Sequence, residues 1–210
     1  MTKKQAPEAS RTRLDTATVV RAALDLLDDK GAGAVSLRGV AERLGVRMNT
    51  VLWHAGSKAR LLELMADAIV GGIDLDVAPG PWHERVRELS RRYRRALLAH
   101  RDGALIVAGT YAAEPATLGF ADAVVGALLE GGADERGAAW AFWNIQYLAL
   151  GLTQEEQALA AQDGPHTLAQ ALAGGAFPAL GRVARHLEDG DFDERFEFGL
   201  ARILALPQEA

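Results

Sequence analysis

The chain has 210 residues, 49% of them apolar and 6% aromatic, with no cysteine; it can bury a core without disulfides, and thiolate metal sites are excluded. Its net charge of -5 would argue against nucleic acid only if charge were evenly spread. Residues 1–60 carry 11 Lys and Arg against 6 Asp and Glu, whereas residues 61–210 carry 12 against 22, so a basic N-terminal module sits on an acidic body, the footprint of a domain that meets phosphate.

Residues 1–13 are polar, contain Pro7 and lack a helical stripe. They read as a flexible basic arm whose Lys3, Lys4, Arg11 and Arg13 attract phosphate, or as an ordinary solvated terminus. Asp15 or Thr16 then caps a first helix, with Val19, Val20, Ala23, Leu24, Leu26 and Leu27 at helical spacing until Gly31. Ser36 opens a short second helix that Gly45 closes, with Val35 as a core residue before the cap. A third short helix runs from Arg47 to His54, where Asn49 and Thr50 are both able to cap. Two brief helices around a Gly45-Val46 turn match a helix-turn-helix, whose second helix enters the major groove. Ser57 caps a longer helix that reaches Gly71-Gly72, which ends a three-helix helix-turn-helix unit over residues 14–72.

Past Pro79-Gly80-Pro81 the helical pattern continues with an apolar stripe (Val86, Leu89, Tyr93, Leu97) opposite a basic side, and a larger domain over residues 73–210 begins. Further helices are expected over 114–130, 134–161, 166–173 and 192–206, separated by Gly- and Pro-bearing breaks. No run alternates with the period of a strand, so the fold class is all-α. Apolar runs such as 104–110 are far shorter than the roughly 20 residues a bilayer span requires, and no secretory leader precedes the polar arm, which places the chain in the cytoplasm with no membrane partner.

The five histidines (His54, His83, His100, His166, His186) form no HExxH pair, and no nucleophile elbow is present. Adjacent helical carboxylates such as Glu155 and Glu156 point about 100° apart and suit a solvated face better than paired acid–base work. The sequence therefore reads as a non-enzyme.

The ordered series in residues 36–65 is more specific than any helix-turn-helix pattern: a capped helix, the Ala41–Val46 turn, Thr50 at the next helix, Trp53-His54, and Lys58 followed by Leu61-Leu62. With residues 14–31 and the later Ala-His-Arg-Asp-Gly at 99–103, it resembles the TetR family of bacterial repressors, most nearly its tetracycline repressor branch. The resemblance implies a homodimeric repressor that binds double-stranded operator DNA and leaves it when a small-molecule inducer binds. DNA contacts then fall on Arg38, Arg47, Met48, Asn49, Thr50, Trp53, His54 and Lys58. For Arg38 a base edge, a phosphate or a pairing with Glu42 all remain open; Asn49 and Thr50 meet DNA or cap their helix; Trp53 packs against core or backbone.

By the same resemblance, helices over 134–161 and 192–206 form the dimer surface, where Phe192, Phe196, Phe198, Leu200, Ile203 and Leu204 make the last helix strongly apolar. The inducer cavity involves Leu89, Tyr93, Val107, Thr110, Trp143, Tyr147 and Glu155, with Asn144, Gln146 and Thr153 as nearby polar groups. Aligned through His100–Gly103, the histidine that ligates magnesium in that branch falls at Val107, and two drug-bonding amides fall at Leu89 and Ala123. The expectation is a more apolar inducer, aromatic among the candidates, bound without metal or other cofactor. A DNA-binding architectural protein with no ligand is the alternative.

Overall fold

The computed structural model describes residues 14–110, 113–160, 172, 175–188 and 191–205, and among these every regular element is helical. Local chemistry sets the first boundaries. The Asp15 carboxylate accepts the Thr18 N–H at 2.8 Å and opens α1 (Thr16–Lys30). Ser36 Oγ accepts the Gly39 N–H at 3.0 Å and opens α2 (Leu37–Leu44), which Gly45 ends in the left-handed region at φ 64°. That conformation costs glycine nothing and turns the chain directly into α3 (Met48–Ala55). Ser57 Oγ accepts the Arg60 N–H at 3.0 Å to open α4 (Lys58–Gly71). Neither Asn49 nor Thr50 takes the capping role open to it: the cap position of α3 is Arg47, two residues before Asn49, and no side chain caps the helix. The arm over residues 1–13 lies outside the described residues.

Four further helices continue the chain: α5 (Trp82–Leu98), the short α6 (Gly103–Ala108), α7 (Pro115–Glu130) and the long α8 (Glu135–Ala160). After them come α9 (Pro178–Glu188) and α10 (Phe192–Leu204). Neither α6 nor α9 was expected from sequence. The helix expected over 166–173 lies outside the described residues apart from Leu172, as does residue 206, the expected end of the last helix.

Val19, Val20, Leu27, Val35, Val40, Val51, Ala55, Leu61 and Met65 fill the interior of the α1–α4 head, and the same apolar cluster continues into the body through Ile69, Val70 and Ile73. In the body, α5, α7, α8 and α10 enclose Leu89, Tyr93, Phe120, Val124, Leu128, Ile145, Phe196 and Leu200. Arg94 is buried between three helices. It pairs with Glu156 of α8 at 2.6 Å and with Asp193 at the start of α10 at 3.0 Å, and its guanidinium lies 5.7 Å from the Phe196 ring centre. A charge taken this far from water is tolerable only when paired in this way.

The head meets the body through carboxylates that accept backbone or side-chain donors from the other unit. Asp28 accepts the Arg101 N–H at 3.0 Å and lies 3.0 Å from His100 Nδ1, while Asp102 returns the contact by accepting the Ala32 N–H at 2.8 Å. On the far side, Asp67 of α4 accepts both the N–H and the hydroxyl of Thr117, and Arg60 pairs with Glu114 and with Glu63. Arg60 holds the Glu114 carboxyl below the usual glutamate range.

The tight turn before α6 depends on Gly103, where a Cβ would overlap the Leu97 carbonyl oxygen and crowd His100. Gly103→Ala should therefore destabilise the protein by about 1–3 kcal/mol, read as a lower thermal unfolding midpoint. An unchanged midpoint would show that the turn relaxes freely.

Candidate nucleic-acid interface and ligand cavity

Helix α3 buries one stripe, Val51 and Ala55, against the head, and presents the rest to solvent. Arg47, Met48, Asn49, Leu52 and Trp53 are exposed, while Thr50 and His54 are half-buried. Trp53 is 84% exposed on the side opposite the buried stripe. It is not a core residue. Of the core-or-backbone packing expected for it, the core alternative is thereby overturned, and the helical period explains why, because Trp53 stands half a turn away from the centre of the Val51–Ala55 stripe.

Arg38, near the start of α2, is free of the core, with its Nε 2.9 Å from Glu42 on the same exposed face. An exposed i,i+4 pair contributes little, so the guanidinium is readily surrendered to a stronger anion. Arg43 differs: it is held by Asp29 at 2.5 Å and fastens α2 to α1. Lys58 is exposed at the first turn of α4. The exposed polar residues here are Arg38 on α2, Arg47 and Asn49 at the start of α3 and Lys58 on α4, with Thr50 and His54 half-buried, and the exposed apolar residues of α3 are Met48, Leu52 and Trp53.

A cavity of about 500 Å³ lies in the body between α4, α5, α6, α7 and α8. Of the residues expected there, Tyr93, Val107, Thr110, Trp143 and Tyr147 line it. Leu89 and Glu155 do not, and both assignments are corrected. Leu89 is buried in the core one turn before Tyr93, and Glu155 is turned toward Arg195 at 3.8 Å, whereas its neighbour Gln154 lines the wall. The lining stripe of α8 is Trp143, Gln146, Tyr147, Leu150 and Gln154, a three- and four-residue spacing that leaves position 155 about 100° off.

Sequence reasoning also missed Val70, Phe120 and Phe142. The aromatic walls are mutually stacked: Tyr93 and Phe120 are 4.9 Å apart at 18°, and Trp143 and Tyr147 are 5.8 Å apart at 21°. Burial pushes the Tyr93 phenol above its usual range, so it stays neutral. Among the described residues, every polar side chain on the wall is a hydroxyl, an amide or an indole N–H, none is a carboxylate or an imidazole, and no cluster of three or more metal-ligating side chains occurs.

Because Trp53 protrudes from the interface, iodide should quench its emission in the free protein, and a duplex seated on α3 should protect it. Trp53→Phe should abolish the protectable fraction. Equal quenching with and without bound duplex would place α3 away from DNA.

Two family models divide the chain where the structure changes character. Residues 19–65 match the bacterial regulatory proteins of the tetR family, and residues 77–205 match the tetracyclin repressor-like C-terminal domain. The tetracycline repressor protein class A from transposon 1721 of Escherichia coli is 36% identical over 198 residues, which cover 92% of this chain and 90% of that protein. The structure of a possible TetR family transcriptional regulator from Streptomyces coelicolor A3(2) superposes with a TM-score of 0.80 at 39% identity, covering 90% of this chain and 97% of that one. ActR of Streptomyces coelicolor in complex with actinorhodin gives 0.82 at 28% identity, covering 92% and 95%. The capped α2–turn–α3 unit and the helical body around its cavity are those of a DNA-binding transcriptional regulator, and the chain belongs to the TetR family.

Proposed function

We propose that this regulator represses from a palindromic operator and is released by a planar, largely apolar aromatic molecule bound in the α4–α8 cavity. One observation carries the reading. Helix α4 starts at the DNA-facing surface with Lys58 and ends in the cavity wall with Val70, so one stiff rod about 20 Å long touches both sites. Residues 14–72 act as the reading head and residues 73–210 as the sensing and dimerising body. A ligand that displaces the Val70 end of α4 changes the angle of the head, provided it prefers that arrangement; one with equal affinity for both shifts nothing.

On the DNA side, Arg38 is assigned to a base edge and Arg47, Asn49, Thr50, His54 and Lys58 to the backbone or the groove floor. The partner for dimerisation is a second copy, paired through α8 and α10. Phe198 supports this, since it is 66% exposed on α10 while Phe196 and Leu200 of the same helix are buried. Action on operator DNA supports a cytoplasmic site of work for this regulator.

On the ligand side, stacked aromatic walls and a few amide and hydroxyl groups suit flat conjugated rings, and ActR, with the same fold, has been solved with actinorhodin. The lining does not fit a magnesium-bound drug. Val107 stands where the tetracycline repressor branch places a metal-binding histidine, and none of the described lining residues is a carboxylate that could hold a hard cation. The same lining gives no acid–base pair or activated nucleophile, so the cavity is read as a sensor and not a catalytic site.

Arg38→Ala should cost about 1–3 kcal/mol at one base pair of the selected operator, whereas Lys58→Ala should weaken specific and random duplexes alike. Identical losses on both DNAs for both variants would refute the division. Calorimetry with tetracycline and magnesium should give no isotherm tighter than about 100 μM; a magnesium-dependent sub-micromolar one would overturn the ligand assignment.

A further inference from the structure

The exposed large apolar side chains of the head are unevenly placed. Among the described residues of 14–72 there are three, Met48 at 48%, Leu52 at 39% and Trp53 at 84%, and all three stand on α3. Met48 and Leu52 are one turn apart, so they share a face, while Trp53 lies about 100° further round and meets a different wall of a groove. Arg47 precedes this face, Asn49 interrupts it, and the exposed Arg38 and Lys58 flank it with positive charge.

From these placements we propose that α3 reads its operator through methyl groups: Met48 and Leu52 form one apolar surface that selects 5-methylpyrimidines, thymine first among them. The inference rests on the assignment of α3 to the major groove made above and names the chemistry it recognises there. Leucine has no donor or acceptor, and a thioether is too weak an acceptor to discriminate base edges. The one apolar group that a base edge displays in the major groove is the C5 methyl of thymine; cytosine has hydrogen there unless it is methylated. A flexible methionine and a leucine side by side can close over such a methyl and exclude water from it. Of the polar residues nearby, Arg47, Asn49, Thr50, His54 and Lys58 hold the helix on the DNA, while Arg38 of α2 keeps the base edge assigned to it above.

The first arm of the test alters only the DNA. An operator is recovered by selection from a pool of random duplexes, and each thymine is replaced in turn by deoxyuridine, which keeps the pairing face and loses only the methyl. Competition titration should show about a fourfold loss at one or two thymines per half-site, the size expected for one buried methyl, and near-unity ratios elsewhere. Replacing those pairs by guanine·5-methylcytosine should bind more tightly than guanine·cytosine at the same positions. In Met48→Gln or Leu52→Asn the deoxyuridine penalty should vanish while salt-dependent binding persists, with circular dichroism confirming the fold. An operator bound tightly yet indifferent to every thymine replacement overturns the methyl reading and leaves α3 as the DNA-facing helix. A penalty that survives in both variants overturns the assignment to these residues. Failure to enrich any duplex sequence overturns the underlying DNA-reading assignment, and the inference falls with it.

Discussion

The structure depends on α4 being buried at both ends in what is effectively one apolar mass. Leu61 and Met65 are locked in the head, and Ile69 and Val70 are locked in the body, all of them at most 3% exposed. An α-helix resists bending because every internal peptide is hydrogen-bonded, so it cannot adjust one end without the other. Had the connection between the units been a Gly-rich linker, the exposed α3 would float relative to the cavity and no ligand could govern it.

Around that rod the contacts between head and body differ in kind. The apolar ones are packed and hold through many small dispersion terms. The polar ones are few, directional and mostly built from carboxylates: Asp28 on the Arg101 amide, Asp102 on the Ala32 amide, Asp67 on Thr117. Directional contacts of this sort have discrete made and broken states, so they suit an interface required to rest in either of two arrangements. Asp102 itself sits in the left-handed region at φ 55°, where a non-glycine residue is strained, and its carboxylate is spent on the head.

The two recognition surfaces use opposite physics. The α3 surface places cations around a small apolar patch and remains open to solvent, which suits an anionic rod with methyl groups in its groove. The cavity is walled by stacked rings, and the polar groups among its described lining residues are all neutral. The charge division between the basic first 60 residues and the acidic remainder keeps those surfaces from competing, since the body repels the phosphate that the head attracts.

The all-α class, the helix ends at Ser36, Gly45 and Ser57, the two-part charge and the family motif were legible in the sequence, because caps, glycine turns and helical stripes act between residues a few positions apart. Five of the seven residues that the family resemblance assigned to the cavity, Tyr93, Val107, Thr110, Trp143 and Tyr147, do line it; the resemblance supplied them, since no local period announced α6. Other features were decided only by packing. Whether position 154 or 155 faces the cavity depends on the rotation of α8, which is set by its contacts with α5 and α10; Arg94 buried among three helices helps fix it. Phe120 and Phe142 enter the wall because α7 and α8 come together there. Asn49 and Thr50, both good capping residues, fall inside the first turn because the Gly45 turn lets α3 begin at Met48, with Arg47 at the cap position two residues before Asn49. The clasps between head and body join residues about seventy positions apart, and such pairs leave no local mark: a carboxylate that will accept a distant amide looks in sequence like any solvated aspartate, and only the closed chain supplies its donor.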